Sequence, residues 1–188
     1  MKIFLVVLGI LLLVGLMFAG KFVSVRNELA VQNEAIAGAW SQVDVALQRR
    51  ADLIPNLVNT VKGFATHEQQ VIDSVTAARA ALGGARTPQE KIAANSQLDG
   101  AISRLLVISE NYPNLKSNEN FLRLQDELAG TENRIAVERR KYNEVVQRYN
   151  TQIALFPNNL IASMSGFQRN DAYFKTDPGS RVAPKVAF

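Results

Sequence analysis

A single histidine, no cysteine and 17 acidic side chains limit the chemistry this sequence can carry. The histidine is His67, in THEQQ. A helical zinc site of the metalloprotease kind needs a second histidine four residues further on, and Val71 stands there. As the base for a serine, His67 would need a positioned acid and a nucleophile elbow, and no strand precedes one here. An exposed helical histidine is the expectation. The missing cysteines exclude thiol nucleophiles, cysteine metal sites and a disulfide framework, and fit either side of a membrane. Gly83 and Gly84 follow a helix and lack the lysine of a phosphate loop. Carboxylates that bind two metals in a bundle come as Glu-x-x-His repeats, which are absent. Asp126, Glu127 and Glu132 lie near Arg123 and Arg134, and Arg134 is four residues before Glu138, so helix-surface ion pairs account for them. No catalytic residue, cofactor or metal is expected. The densest basic run is ERRKYNEVVQR, Glu138 to Arg148; it could touch anionic lipid headgroups, although Glu138 and Glu144 dilute it. A formal charge of +4 is no nucleic-acid signature, and no nucleic-acid partner is expected.

The elements that must position these groups begin with an apolar run, Ile3 to Gly20, extended by Phe22 and Val23 if Lys21 snorkels. Its helix approaches roughly 27 Å, close to the hydrocarbon thickness of a bilayer. A cleaved signal peptide is the rival reading, but Met17 stands where cleavage after Ala19 calls for a small residue. An uncleaved anchor contacting lipid through Ile3 to Val23 is the expectation. Gly15 and Ala19 are spaced to let two anchors approach, a hint of self-association.

Past the anchor, apolar residues recur at helical spacing and no segment alternates as a strand does, so the predicted class is all-α. Val25, Leu29, Ile36, Trp40, Val43 and Leu47 form one stripe, with Trp40 read as core. A second stripe runs from Ile54 to Leu82 and stops at Gly83. TPQE opens a third helix, about Pro88 to Asn111: Thr87 caps, Pro88 takes the first position and Glu90 completes a capping box. In the fourth, Phe121, Leu128, Ile135, Tyr142, Tyr149 and Phe156 recur every seventh residue up to Pro157. The companion line, with Thr131, Glu138 and Gln152, is too polar for a two-stranded coiled coil, which favours a bundle helix. Tyr142 and Tyr149 either lie flat at a bundle edge or line a polar cavity.

Between the first two stripes stands QRRADLIPNL, Gln48 to Leu57. Apolar phase alone supports one kinked helix through Pro55. Length opposes it, since an unbroken helix to Leu82 would leave part of its stripe uncovered. Arg49 and Arg50 suit a helix carboxyl end, Asp52 the next amino end, and Pro55 a first turn. A reversal near Arg50 to Ile54 is therefore expected. It gives an antiparallel up-and-down four-helix bundle of long helices behind a transmembrane helix. The predicted division is anchor 1–23, helical body 24–157 and tail 158–188.

Two blocks carry a family resemblance. AWSQVDVALQRRADLIPNLVNTVKGFATHE, Ala39 to Glu68, resembles the signature of the LemA family, and Tyr112 to Pro157 resembles its second conserved block. The matching positions are Trp40, Arg49, Arg50, Asp52, Leu53, Pro55 and Asn56 in the first, and Glu132, Asn133, Arg134, Tyr142, Asn143, Tyr149 and Asn150 in the second. The resemblance implies a bacterial single-pass protein of the inner membrane, with its amino terminus outside and a helical bundle in the cytoplasm. It implies no established enzyme activity. The family's associations with membrane metalloproteases and magnetosome membrane formation imply either a scaffold or adaptor, or an accessory regulator of a membrane protease or envelope-stress pathway. Homo-oligomers are a further possibility. The tail, with Phe167, Tyr173, Phe174 and Phe188 around a loop at Asp177 to Ser180, is aromatic for a solvated segment and is expected to dock on its own bundle or a neighbour's.

Overall fold

The computed structural model describes residues 2–65 and 67–175, and these are all helix, turn and loop. Asp177 to Ser180 and Phe188 lie outside the described residues. The helices are α1 (Lys2–Lys62), α2 (Gln69–Gly84), α3 (Pro88–Ser109), α4 (Pro113–Lys116), α5 (Glu119–Ala154) and α6 (Asn158–Met164).

The expected reversal at Arg50 to Ile54 does not occur: α1 continues through Pro55 for 61 residues. A proline inside a helix lacks the N–H that would bond the carbonyl four residues earlier, here that of Ala51. That carbonyl accepts instead from Arg79 Nε of α2, at 3.0 Å. The acceptor orphaned by Pro55 is thus satisfied from a neighbouring helix. The charges have other roles than the caps assigned to them. Arg50 is buried in an ion-pair cluster, Asp52 accepts from Gln48 Nε2 within the same helix at 2.8 Å, and Arg49 is exposed. The helix ends later, where Lys62 supplies a basic last turn and Gly63 and Phe64 close tight turns onto the Thr60 and Val61 carbonyls. A basic residue there complements the carboxyl end of the helix dipole.

The chain divides into two compact units. One joins the residues up to Ala39 with Tyr142–Asp171. In it, the side chains from Ile3 through Lys21 are exposed, whereas Val25, Leu29 and Ile36 of α1 are buried, as are Tyr142, Val146 and Tyr149 of α5 and Ile161 and Ala162 of α6. The other joins Trp40–Lys141 with the stretch beginning at Ala172. Its core includes Val43, Leu47, Ile54 and Leu57 of α1, Ile72, Val75 and Leu82 of α2, Leu98, Ile102 and Leu105 of α3, and Phe121, Leu128 and Ile135 of α5.

Contacts in this second unit show the helix directions. Arg79 of α2 reaches Ala51 of α1, although α2 begins only at Gln69, so α2 runs back along α1. Tyr112, just past α3, donates to Glu68, just before α2, at 2.8 Å, so α3 runs back along α2. The start of α3 is the capping box the sequence predicts. Glu90 N donates to Thr87 Oγ1 at 3.2 Å, and Glu90 Oε2 accepts from the Thr87 and Arg86 amides. Those two amide bonds hold the Glu90 carboxyl below its ordinary range. For α5, Asn118 Oδ1 accepts from Phe121 N at 3.1 Å, an amino-terminal cap.

Five of the six heptad residues of α5 are buried; the sixth, Phe156, is 79 % exposed because α5 ends at Ala154. Trp40, read as core, is half-buried.

Candidate functional site

The densest polar constellation gathers on Arg50. Phase places Arg50 on the buried side of α1, between Leu47 and Ile54, leaving 6 % of it exposed. A guanidinium removed from water must be paired. Arg50 pairs with Asp99 of α3 and Glu132 of α5, so one cation ties three helices. Asn95, fully buried one turn before Asp99, donates to Asp99 Oδ2 at 2.9 Å, and Arg139 stands 3.7 Å from the same oxygen. Two cations therefore face two anions. Burial pushes the Asp99 carboxyl above its ordinary range; Arg50 opposes the shift, Glu132 adds to it and Arg139 opposes it. Arg50 Nε, Asn95 Oδ1 and Arg139 Nε are buried without a protein partner among the described residues.

Arg139 connects this cluster to the segment after α6. Its Cζ lies 5.0 Å from the centroid of the Phe174 ring, and Phe174 stacks on Trp40 with centroids 6.0 Å apart and planes 20° from parallel. The stack and the cation over its face are both favourable arrangements for an aromatic quadrupole.

A second constellation lies in the other unit. Tyr149 Oη donates to the Gln168 carbonyl at 2.9 Å. Asn150 Nδ2 donates to the Asn170 carbonyl at 2.7 Å, and Asn150 Oδ1 accepts from the Asn170 amide at 2.9 Å. Asn150 thus pairs with the Asn170 backbone as a strand would. Burial raises the Tyr149 hydroxyl above its usual range. Neither a polar cavity nor a flat bundle edge describes Tyr149, whose hydroxyl holds down the segment past α6.

A third grouping is exposed. Arg49, Asp52 and Leu53 of α1 face Glu127, Gly130 and Arg134 of α5 across an open groove of roughly 410 Å³. Of the remaining sequence-predicted positions, Pro55, Asn56 and Asn133 are exposed, Asn143 is half-buried and Tyr142 is fully buried. The helix-surface pairs read from the sequence are re-dealt: Glu132 serves Arg50, and Glu138 accepts from Lys141 at 3.0 Å. Asn95, Asp99 and Arg139 were not singled out in the sequence. Their signal was a polar residue on an apolar stripe, since Asn95 falls between Ile92 and Leu98 at helical spacing. Among the described residues, no three histidine or acidic side chains gather closely enough to hold a metal.

Comparison with known proteins bears on both sequence blocks. The sequence model of the LemA family matches residues 39–188. The chain belongs to the LemA family. Magnetosome proteins MamQ 2 and MamQ 1 of Paramagnetospirillum magneticum are each 25 % identical to it over 178 residues, covering 81 % of this chain and 65 % of theirs. Protein LemA of Metamycoplasma hominis is 26 % identical over 180 residues, covering 95 % of this chain and 81 % of its own. This LemA-family chain thus spans somewhat under two thirds of the MamQ proteins. The family match includes every residue of the Arg50 cluster and both residues that hold the segment past α6, and begins after the apolar run. Among the described residues of this LemA-family chain, one helix, α1, is long and apolar enough to cross a membrane.

Proposed function

We propose that this LemA-family chain is a noncatalytic, membrane-anchored helical scaffold or adaptor, in which an anchor (1–23), a helical body (24–157) and a tail (158–188) act together in membrane organisation. The observation that carries this reading is the continuity of α1: the exposed apolar run and the buried Val25, Leu29 and Ile36 lie on one unbroken helix. With no flexible linker between them, insertion of the run would hold the packed residues at a set distance from the bilayer. The magnetosome names of the MamQ relatives support a role at membranes. The reading places the anchor in the bacterial inner membrane and the body in the cytoplasm, and allows homo-oligomers. Labelling a cysteine at exposed Val107 with an impermeant thiol reagent, in intact cells and in inverted vesicles, tests the orientation.

The open groove of Arg49, Asp52, Leu53, Glu127 and Arg134 favours a second reading, an accessory regulator that docks a membrane protease or envelope-stress protein there. Copurification of tagged, anchored protein from membranes separates the two. Self-assembly alone is the scaffold outcome. One stoichiometric protease, lost on Arg49→Glu with Arg134→Glu, is the regulator outcome and sinks the scaffold reading.

A further inference from the structure

We infer that the corner between α5 and α6 is a second membrane contact: Leu155, Phe156, Leu160 and Met164 seat in the boundary between lipid headgroups and acyl chains, beside the end of the α1 apolar run. The inference rests on the reading of that run as membrane-inserted. All four side chains point outward, with Phe156 79 % and Met164 73 % exposed. On α6, Leu160 and Met164 are one turn apart on the outer side, while Ile161 and Ala162 pack inward, so this short helix is apolar on two sides. A soluble surface rarely gathers four such residues within ten positions of chain without a partner.

Position and charge identify the partner as a bilayer. Within this unit, Val25 is the first buried residue of α1, and Tyr142–Asp171 is the segment that completes the unit with it. Val25 is four residues past Lys21, about 6 Å along the helix. Burial in this unit therefore begins within about a turn of the end of the apolar run. Helix α1 leaves the unit at Ala39 and α5 enters it at Tyr142, so the far end of α5 and the α6 corner fall toward Val25. From Thr151 through Gln168 no residue is charged, and the stretch is bounded by Arg148 and Arg169. Arg169 is paired with Asp171 at 2.7 Å. Arg148 is exposed, as are Lys21 and Arg26 near the end of the run. An uncharged, apolar-faced segment with basic neighbours is what an interfacial element needs: apolar side chains about 5–10 Å into the boundary and cations at anionic headgroups.

The absence of native cysteine makes the test direct. Phe156→Cys, Leu160→Cys and Met164→Cys, each alone in the full-length chain, are labelled with bimane and reconstituted in phosphatidylcholine–phosphatidylglycerol vesicles. All three are surface positions, so the substitutions leave the core intact. Brominated lipids are expected to quench the three labels, as they quench Leu11→Cys inside the run, and to leave Glu34→Cys bright. Quenching at Leu11 without quenching at the three overturns the second contact and leaves anchoring intact. A label at Leu11 that stays bright overturns anchoring, and the contact with it. Burial of the three labels that follows the protein-to-lipid ratio rather than bromination gives the face to a second copy of this chain and overturns the proposal.

Discussion

At the scale of single residues, the fate of the Ala51 carbonyl explains how a proline sits inside a long helix. Interior prolines cost about 3 kcal/mol or more, partly through the carbonyl left unpaired. Arg79 Nε, at 3.0 Å, supplies the missing donor. A double-mutant cycle checks this. Arg79→Met keeps the aliphatic stem and should lower stability by about 1 kcal/mol. In a Pro55→Ala background the restored amide reaches the same carbonyl, and the Arg79→Met loss should fall toward zero in urea unfolding; equal losses in both backgrounds would mean the bond does not matter. Asp99 gives a pH prediction with an unusual sign. Its carboxyl is raised chiefly by burial, so the folded state holds the proton more tightly than the unfolded state. This contribution is favourable below the unfolded-state value and is lost as pH rises through the raised folded value. Asp99→Asn cannot titrate, so its stability relative to the parent should improve from acidic to neutral pH. A fixed difference in melting temperature across that range would count against the assignment.

At the scale of elements, what was readable in the sequence was local. The α3 start depends on four consecutive residues, and its capping box forms as read. Thr87→Ala should cost about 1 kcal/mol. Glu90→Gln should remove stability that the parent has above the unfolded carboxylate range and loses as pH falls, because the folded Glu90 value is lowered; thermal melts at pH 3 and pH 7 measure this. Local sequence misplaces the end of α1 because its two breaking signals differ in reach. Pro55 is accommodated by an arginine 28 residues from Ala51, which no local pattern reveals, whereas the end of α1 is closed by local turns of Gly63 and Phe64 onto the Thr60 and Val61 carbonyls beside Lys62. The candidate sites divide the same way. Arg50, Glu132, Tyr149 and Asn150 were visible through the family resemblance, but their partners Asp99, Gln168 and Asn170 depend on packing. For the segment past α6, Asn150→Ala should speed tryptic cleavage after Arg169 while leaving helical circular dichroism unchanged. No change in cleavage would mean Asn150 does not hold that segment.

At the scale of the whole molecule, the question is how much of the chain's behaviour follows from α1. Thirteen of the 18 residues from Ile3 to Gly20 are leucine, isoleucine, phenylalanine or valine, and none is charged. At roughly 0.3–0.6 kcal/mol each on an insertion scale, they favour transfer into a bilayer by on the order of 5 kcal/mol. A lysine at the helix centre opposes this by about 3 kcal/mol. The magnitudes predict a threshold rather than a gradual decline. Leu11→Lys alone should leave most of the full-length protein in carbonate-washed membranes. Leu11→Lys with Leu12→Lys, costing about 6 kcal/mol before the lost leucines are counted, should release most of it. The double variant should keep its helical circular dichroism, because Leu11 and Leu12 are exposed and belong to no packed core. Release with lost helicity would show instead that the apolar run supports the fold. Retention of the double variant in the membrane fraction would place the dominant membrane attachment outside α1, with the uncharged α5–α6 corner as the next segment to test by substitution.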